Sequence, residues 1–198
     1  LDDLIPRIDR PESRAAAAAE LAERWRDAPG DYVWLQVART NEHLLGGHLD
    51  FETLLAHPLY ADTTSGPGAF VKALYRDQRG KRGARYLAMD AAAEDSLSLN
   101  RFWLLRRQSL ALHERGDGAD GVRLLLASLP TAHALGGARL AARYWTTIAY
   151  ILRRSEHLDD ALHAQVMQIA FWRKLGAEYK ELQARLRLTD ILQERREL

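Results

Sequence analysis

The sequence predicts an all-α chain, an α-solenoid of antiparallel helix pairs with about ten helices. Three observations predict it. The last third of the chain repeats at an offset of forty residues: Leu135-Gly136 returns as Leu175-Gly176, Ile151-Leu152 as Ile191-Leu192, and Leu158 as Leu198. A fixed period of 20–50 residues marks a solenoid, in which each unit buries its apolar face only by stacking on its neighbours. No segment sustains the period-two alternation of a half-buried strand. Glycine and proline punctuate the chain at helix-length intervals.

Composition bounds the function. With 198 residues, 47% hydrophobic and 28% charged, the chain can bury a sizeable core. It has no cysteine, which removes disulfides, thiolate metal sites and a cysteine nucleophile. There is no apolar run of eighteen residues, no signal-peptide core and no Asn-x-Ser/Thr acceptor, so no membrane partner is expected and a cytoplasmic location is the default. Net charge is +1, but residues 1–70 carry twelve acids and six bases while residues 71–198 carry fifteen acids and twenty-two bases. The chain starts at Leu1 rather than methionine and ends half-way through a repeat, so an excerpt of a longer protein is expected.

In order along the chain, residues 1–10 (LDDLIPRIDR) read as an extended, proline-interrupted lead-in. Pro11 and Glu12 suit a first helical turn, and a helix then runs through Ala15–Ala19 and Trp25 to Pro29-Gly30. Asp31 is placed to cap a second helix, Tyr32 to Leu45, with Val33, Val37 and Leu44 near one face and Gly46-Gly47 ending it. A short third helix runs from Asp50 to about Pro58. The segment from Ala61 to Gly68 is the strongest loop signal and the best candidate for a mobile connection. Helices Phe70–Gln78 and Ala84–Ala93 follow, turning at Gly80. From Ser96 the pattern sharpens, with Phe102, Leu105, Ser109 and Leu112 at helical steps and a break at Gly116-Asp117-Gly118. The next helix is kinked or ended by Pro130. Ala138–Arg154 carries Trp145, Ile148, Ala149 and Leu152 on one stripe; Asp159–Lys174 runs back, Leu175-Gly176 closes it, and Ala177 opens a last helix.

Trp145, Ile148-Ala149, Leu152 and the small Ala161 after the turn resemble the tetratricopeptide repeat pattern. With the closing Leu175-Gly176 and the forty-residue period, the chain is most similar to the long-repeat type of bacterial transcriptional regulators exemplified by the maltose-regulon activator. The preceding unit (Leu105, Ser109, Leu112, Gly121) fits less tightly, with Gln108 where an aliphatic is expected; the following one keeps Leu188, Thr189 and Leu192 but puts Arg185 in the aromatic place. The resemblance covers 96–198, with 1–80 as divergent helices of the same single domain 1–198. It implies a right-handed superhelix whose first helices line a concave groove for a protein or peptide partner.

On that register the groove-facing residues are Trp103, Arg106 and His113, then Arg143, Thr146, Tyr150 and Arg153 with Arg154, then Gln183, Leu186 and Asp190. Guanidinium groups bind carboxylates bidentately and aromatic rings offer flat apolar area, so an acidic or C-terminal peptide segment suits the surface. The doublets Phe102-Trp103, Tyr144-Trp145 and Phe171-Trp172 each place one ring in the core and one at its boundary, because neighbours on a helix point about 100° apart. An effector-sensing or interaction domain of a transcriptional regulator is the alternative function. Nucleic-acid binding through the basic 76–85 turn (Arg76, Arg79, Lys81, Arg82, Arg85) is the second, without a P-loop spacing to support it. His157, Asp160 and His163 come nearest to a metal cluster but lack ligands at fixed spacing. No catalytic constellation stands out, so no enzyme, no metal and no cofactor are expected. A homodimer is expected through the last helix, whose Leu182, Leu186, Ile191 and Leu192 lack a following partner.

Overall fold

A computed structural model describes residues 4–91 and 99–197. The chain falls into two compact units, Leu1–Glu94 and Asp95–Leu198, divided close to where the repeat pattern begins. Among the described residues every element is helical: eleven α-helices, one of them divided into two arms, with a 3-10 turn and a π-helical stretch. Twelve α-helical segments stand where about ten were expected. Ser96 and the end of the expected Ala84–Ala93 helix lie outside the described residues, as does the Arg79 side chain.

In the first unit the lead-in is not extended. It forms α1 (Leu4–Asp9), because Leu4 and Ile8, one turn apart, are both buried and Pro6 lies in the first turn, where no intrahelical amide is needed. The following helix, α2 (Pro11–Asp27), caps it: Ser13 Oγ donates to Arg7 O at 2.9 Å and Arg14 Nε to Ile8 O at 2.9 Å. The expected second helix is split into α3 (Tyr32–Thr40) and α4 (Glu42–Leu45) at Asn41, whose Nδ2 donates to Val37 O at 2.8 Å. Asp31 occupies the N-cap position of α3, yet its side chain accepts no capping bond. Its buried face is Tyr32, Leu35, Gln36, Val37 and Ala38, and Leu45 replaces Leu44 as the buried residue of α4. By contrast Asp50 does cap α5 (Phe51–Leu55), accepting from Thr53 N at 3.1 Å.

The 61–68 segment is a closed turn instead of a loose connection. Asp62 accepts from Thr64 N at 2.8 Å, Thr64 Oγ1 at 2.6 Å and Ser65 Oγ at 2.7 Å, bonds that hold its carboxyl down to about 2. There α6 (Gly66–Val71) starts and passes directly into the π-helical Lys72–Arg76. The reversal falls at Asp77-Gln78, so Gly80 and Gly83 lie inside α7 (Arg79–Ala88) instead of making the turn. Aromatic rings fill the core: Tyr32 stacks on Phe70 at 3.9 Å, and Trp25 Nε1 donates to the Tyr60 hydroxyl at 2.5 Å, which donates to Pro29 O at 2.7 Å.

In the second unit the forty-residue period becomes a physical step. Its elements are α8 (Leu99–Glu114), α9 (Gly118–Arg154), α10 (Leu158–Lys174) and α11 (Glu178–Glu197), each packed on the next. Pro130 neither ends nor replaces the break in α9. The break is at Gly137, where φ 65° and ψ −165° divide it into arms 118–136 and 138–154. The helix passes Pro130 because the carbonyl that loses its amide partner belongs to Leu126, which is exposed to water.

Three turns share one hydrogen-bond pattern. Asp117 N donates to Leu112 O at 2.9 Å, His157 N to Leu152 O at 2.9 Å, and Ala177 N to Trp172 O at 3.0 Å. This six-to-one closure requires a left-handed residue just before each donor, and Gly116 (φ 97°), Glu156 (φ 61°) and Gly176 (φ 64°) supply it. Only Glu156 carries a Cβ there. Glu156→Gly is therefore expected to stabilise the unit by about 0.5–1 kcal/mol, read from the midpoint of urea unfolding, because glycine takes this conformation without steric cost. A variant less stable than the parent would show that the Glu156 side chain contributes more than its backbone costs.

The core stripe of the second α9 arm is rotated by one residue from the expected one. Tyr144, Ile148, Ala149 and Ile151 are buried, and Trp145 and Leu152 only partly. The cause is that this arm packs on two neighbours: Tyr144 Oη reaches back to Phe102 O on α8 at 3.0 Å, while Ala142 meets Ile169, Trp172 and Ala184 of α10 and α11. Each aromatic doublet divides as expected, with Phe102, Tyr144 and Trp172 buried and Trp103, Trp145 and Phe171 at the boundary. On α11 Ile191 is not exposed, being covered by Leu158 and Ala161.

Candidate functional site

The residues assigned to the groove lie on α8, the second α9 arm and α11, at equivalent places forty residues apart: Trp103, Arg143 and Gln183; Arg106, Thr146 and Leu186; Tyr150 and Asp190; His113 and Arg153. Contacts between successive helices repeat at the same step. His113 stands edge-on to Tyr150 with ring centroids 5.8 Å apart, and Arg153, its equivalent, reaches Asp190, the equivalent of Tyr150, at 3.8 Å. Arg106 Nε donates to Thr147 Oγ1 at 2.7 Å across the first seam, and Arg153 Nε to Glu194 Oε2 at 2.9 Å across the second. Arg153 is thus clamped by the next helix. The bond with Glu194 raises the Arg153 pKa and lowers that of Glu194.

The remaining residues differ in availability. Tyr150 is 47% exposed. Trp103, His113, Arg143 and Thr146 are half-buried, with the Arg143 guanidinium 5.9 Å from the Trp172 ring centre and Thr146 Oγ1 donating to Ala142 O at 2.8 Å. Gln183 is held within α11 by Tyr179 and Lys180.

Arg106 is the most perturbed group on this face. Burial, and behind it the charges of Arg107 and Arg143, pushes its guanidinium down to about 9. Its neighbours are the neutral Thr147 and the Trp103 ring, 5.8 Å from the guanidinium carbon. One hydrogen bond of about 1 kcal/mol and a cation–π contact of about 0.5–1 kcal/mol are the contacts that hold this half-buried cation, and neither brings an opposite charge to it.

The other sequence candidates are placed elsewhere. Arg76, Arg82 and Arg85 bind their own unit, at Leu55 O, Asp77 O and the Asp77 carboxylate with Thr63 O respectively. His163 stands edge-on to Trp145 at 6.4 Å. On α11, Leu182, Leu186 and Leu192, for which a second copy is expected from the sequence, are 55%, 60% and 39% exposed, and Tyr179 is 62% exposed. Sequence reasoning missed Thr147 and Glu194; an offset of forty-one from Arg106 and Arg153 points to both. No helix among the described residues is long and apolar enough to cross a membrane. Comparison with known proteins finds no matching family model, curated protein or solved structure.

Proposed function

We propose that residues 99–197 are a helical-repeat scaffold that holds a protein or peptide partner along the face formed by α8, the second α9 arm and α11. The observation that carries this reading is the repetition of side-chain contacts at one step along one face, His113 to Tyr150 and Arg153 to Asp190, with Tyr150 exposed between them. Such a face suits an extended acidic segment, because guanidinium groups fork onto carboxylates and rings supply apolar area at low entropic cost. The role is holding, not chemical transformation. Combining Arg143→Ala, Tyr150→Ala and Arg153→Ala is expected to lower partner capture from a lysate of the source organism at least tenfold while circular dichroism stays unchanged. Capture at the parental level would exclude this face.

The same scaffold also suits the sensing or interaction region of a bacterial transcriptional regulator, in which the partner is a regulatory protein or effector. Nucleic-acid binding through residues 76–85 is less favoured, since three of the arginines there are bonded within their own unit.

A further inference from the structure

We propose that Arg106 is an oxyanion receptor at the seam of α8 and the second α9 arm, taking a carboxylate or phosphate group on its two terminal nitrogens. The inference rests on the same face as the proposed groove and names the chemistry of one point in it. Nε is already committed to Thr147 Oγ1 at 2.7 Å, and Thr147 Oγ1 in turn bonds Arg143 O at 3.2 Å, so the guanidinium plane is fixed from behind. Trp103 walls one side at 5.8 Å. Among the described residues no ion pair forms at Arg106, whereas Arg153, which bonds across the next seam of the same face, is closed by Glu194 at 2.5 Å and Asp190 at 3.8 Å. The two arginines occupy different repeat positions, but each bonds through Nε across its own seam, and of the two only Arg153 meets an acid there.

Electrostatics point the same way. The charges of Arg107 and Arg143 act against the Arg106 cation, and burial acts against it more strongly. A guanidinium retained in such a place without an acid is a cost to the fold unless an external anion completes it. The two terminal nitrogens present donors in a fixed fork that matches two oxygens of one planar or tetrahedral anion. The half-buried setting weakens competition from water and bulk salt.

The test compares the full chain with Arg106→Met, which keeps the apolar stem and removes the charge. Thermal unfolding is followed in sodium chloride, in sodium phosphate, and in an N-acetylated glutamate dipeptide amide, all at matched ionic strength. Phosphate or the dipeptide is expected to raise the parental midpoint by about 5 °C at a saturating concentration, and which of them does so identifies the source of the anion. In Arg106→Met that rise is lost, while the midpoint in chloride equals or exceeds the parental one. An equal rise in the variant, or a variant destabilised in chloride as a core truncation would be, overturns the inference, as does a parent that responds to neither anion. The control Arg123→Met, at an exposed arginine beside Asp120, keeps the full response. Partner capture separates this inference from the groove itself. Capture that survives Arg106→Met but not the triple alanine variant leaves the groove standing and removes the receptor. Anion binding without any partner does the reverse.

Discussion

Replacing Gly68 with alanine is expected to destabilise the Leu1–Glu94 unit by about 3 kcal/mol or more, lowering its thermal midpoint by about 12 °C. The backbone of Gly68 lies in α6 and not in the left-handed region, so the constraint is space alone. A Cβ built there sits 1.7 Å from Asp62 O, 2.7 Å from Asp62 C and 3.0 Å from Tyr60 O. These are main-chain atoms with no rotamer to move into. Relief requires either the first turn of α6 to unwind or the 60–62 backbone to withdraw. The second route pulls on Tyr60, whose hydroxyl joins Trp25 to Pro29, and on the Asp62 bonds to Thr64 and Ser65. Alanine's helix preference returns about 1 kcal/mol at most, too little to offset the clash. The measurement is calorimetry beside Gly47→Ala, where a Cβ meets nothing within 4 Å and the midpoint should hardly move. An alanine variant within 1 kcal/mol of the parent would mean that the 60–68 backbone yields easily.

The helix ends of the second unit were readable because its turns are written in residue types that the backbone demands. Gly116 and Gly176 stand where a left-handed residue is needed, and only Glu156 disguises the third member of the set. The second arm was read where it lies, from Ala138 to Arg154, and only the end of the first arm was misplaced, because Pro130 is the louder signal. A proline costs one amide bond, which Leu126 can lose at an exposed position, whereas Gly137 adopts angles closed to other residues. The first unit was less legible. Its core is built from single aromatic rings on short helices, and Tyr32 against Phe70 or Trp25 against Tyr60 are pairings that no local spacing encodes.

The candidate face was legible in outline and not in its energetics. Helical spacing placed Trp103, Arg106, Arg143 and Arg153 on one side. Nothing in that spacing distinguishes Arg153, answered by Glu194, from Arg106, which meets only a hydroxyl and a ring, since the difference is supplied by a helix forty-one residues away. Burial of one cation among others is a property of two packed helices, not of either sequence.

Gly121→Leu carries the second large effect, expected at about 3 kcal/mol of lost stability together with loss of partner capture. Gly121 lies on the first α9 arm where it crosses α8, and a Cβ there would sit 2.6 Å from Ser109 O and 3.1 Å from Ser109 Oγ. The buried hydroxyl of Ser109 also donates to Gly121 O at 2.9 Å, so forcing the helices apart breaks a hydrogen bond worth about 1 kcal/mol besides the packing. Helix propensity favours leucine over glycine by close to 1 kcal/mol, and the contact outweighs it. Ala161, the equivalent residue one repeat later, is fully buried beside Leu152 and Ile191, and there the sign reverses: removing its methyl, not adding carbon, should cost about 1–2 kcal/mol. Denaturant unfolding of Gly121→Leu and Ala161→Gly reads both terms. The functional consequence follows from geometry, because α8 carries Trp103, Arg106 and His113 as one rigid row. Displacing α8 from α9 moves all three away from Thr147 and Tyr150, so capture should fail in Gly121→Leu although no residue of the row has changed. If capture persists while stability falls, the row works on α9 and α11 alone.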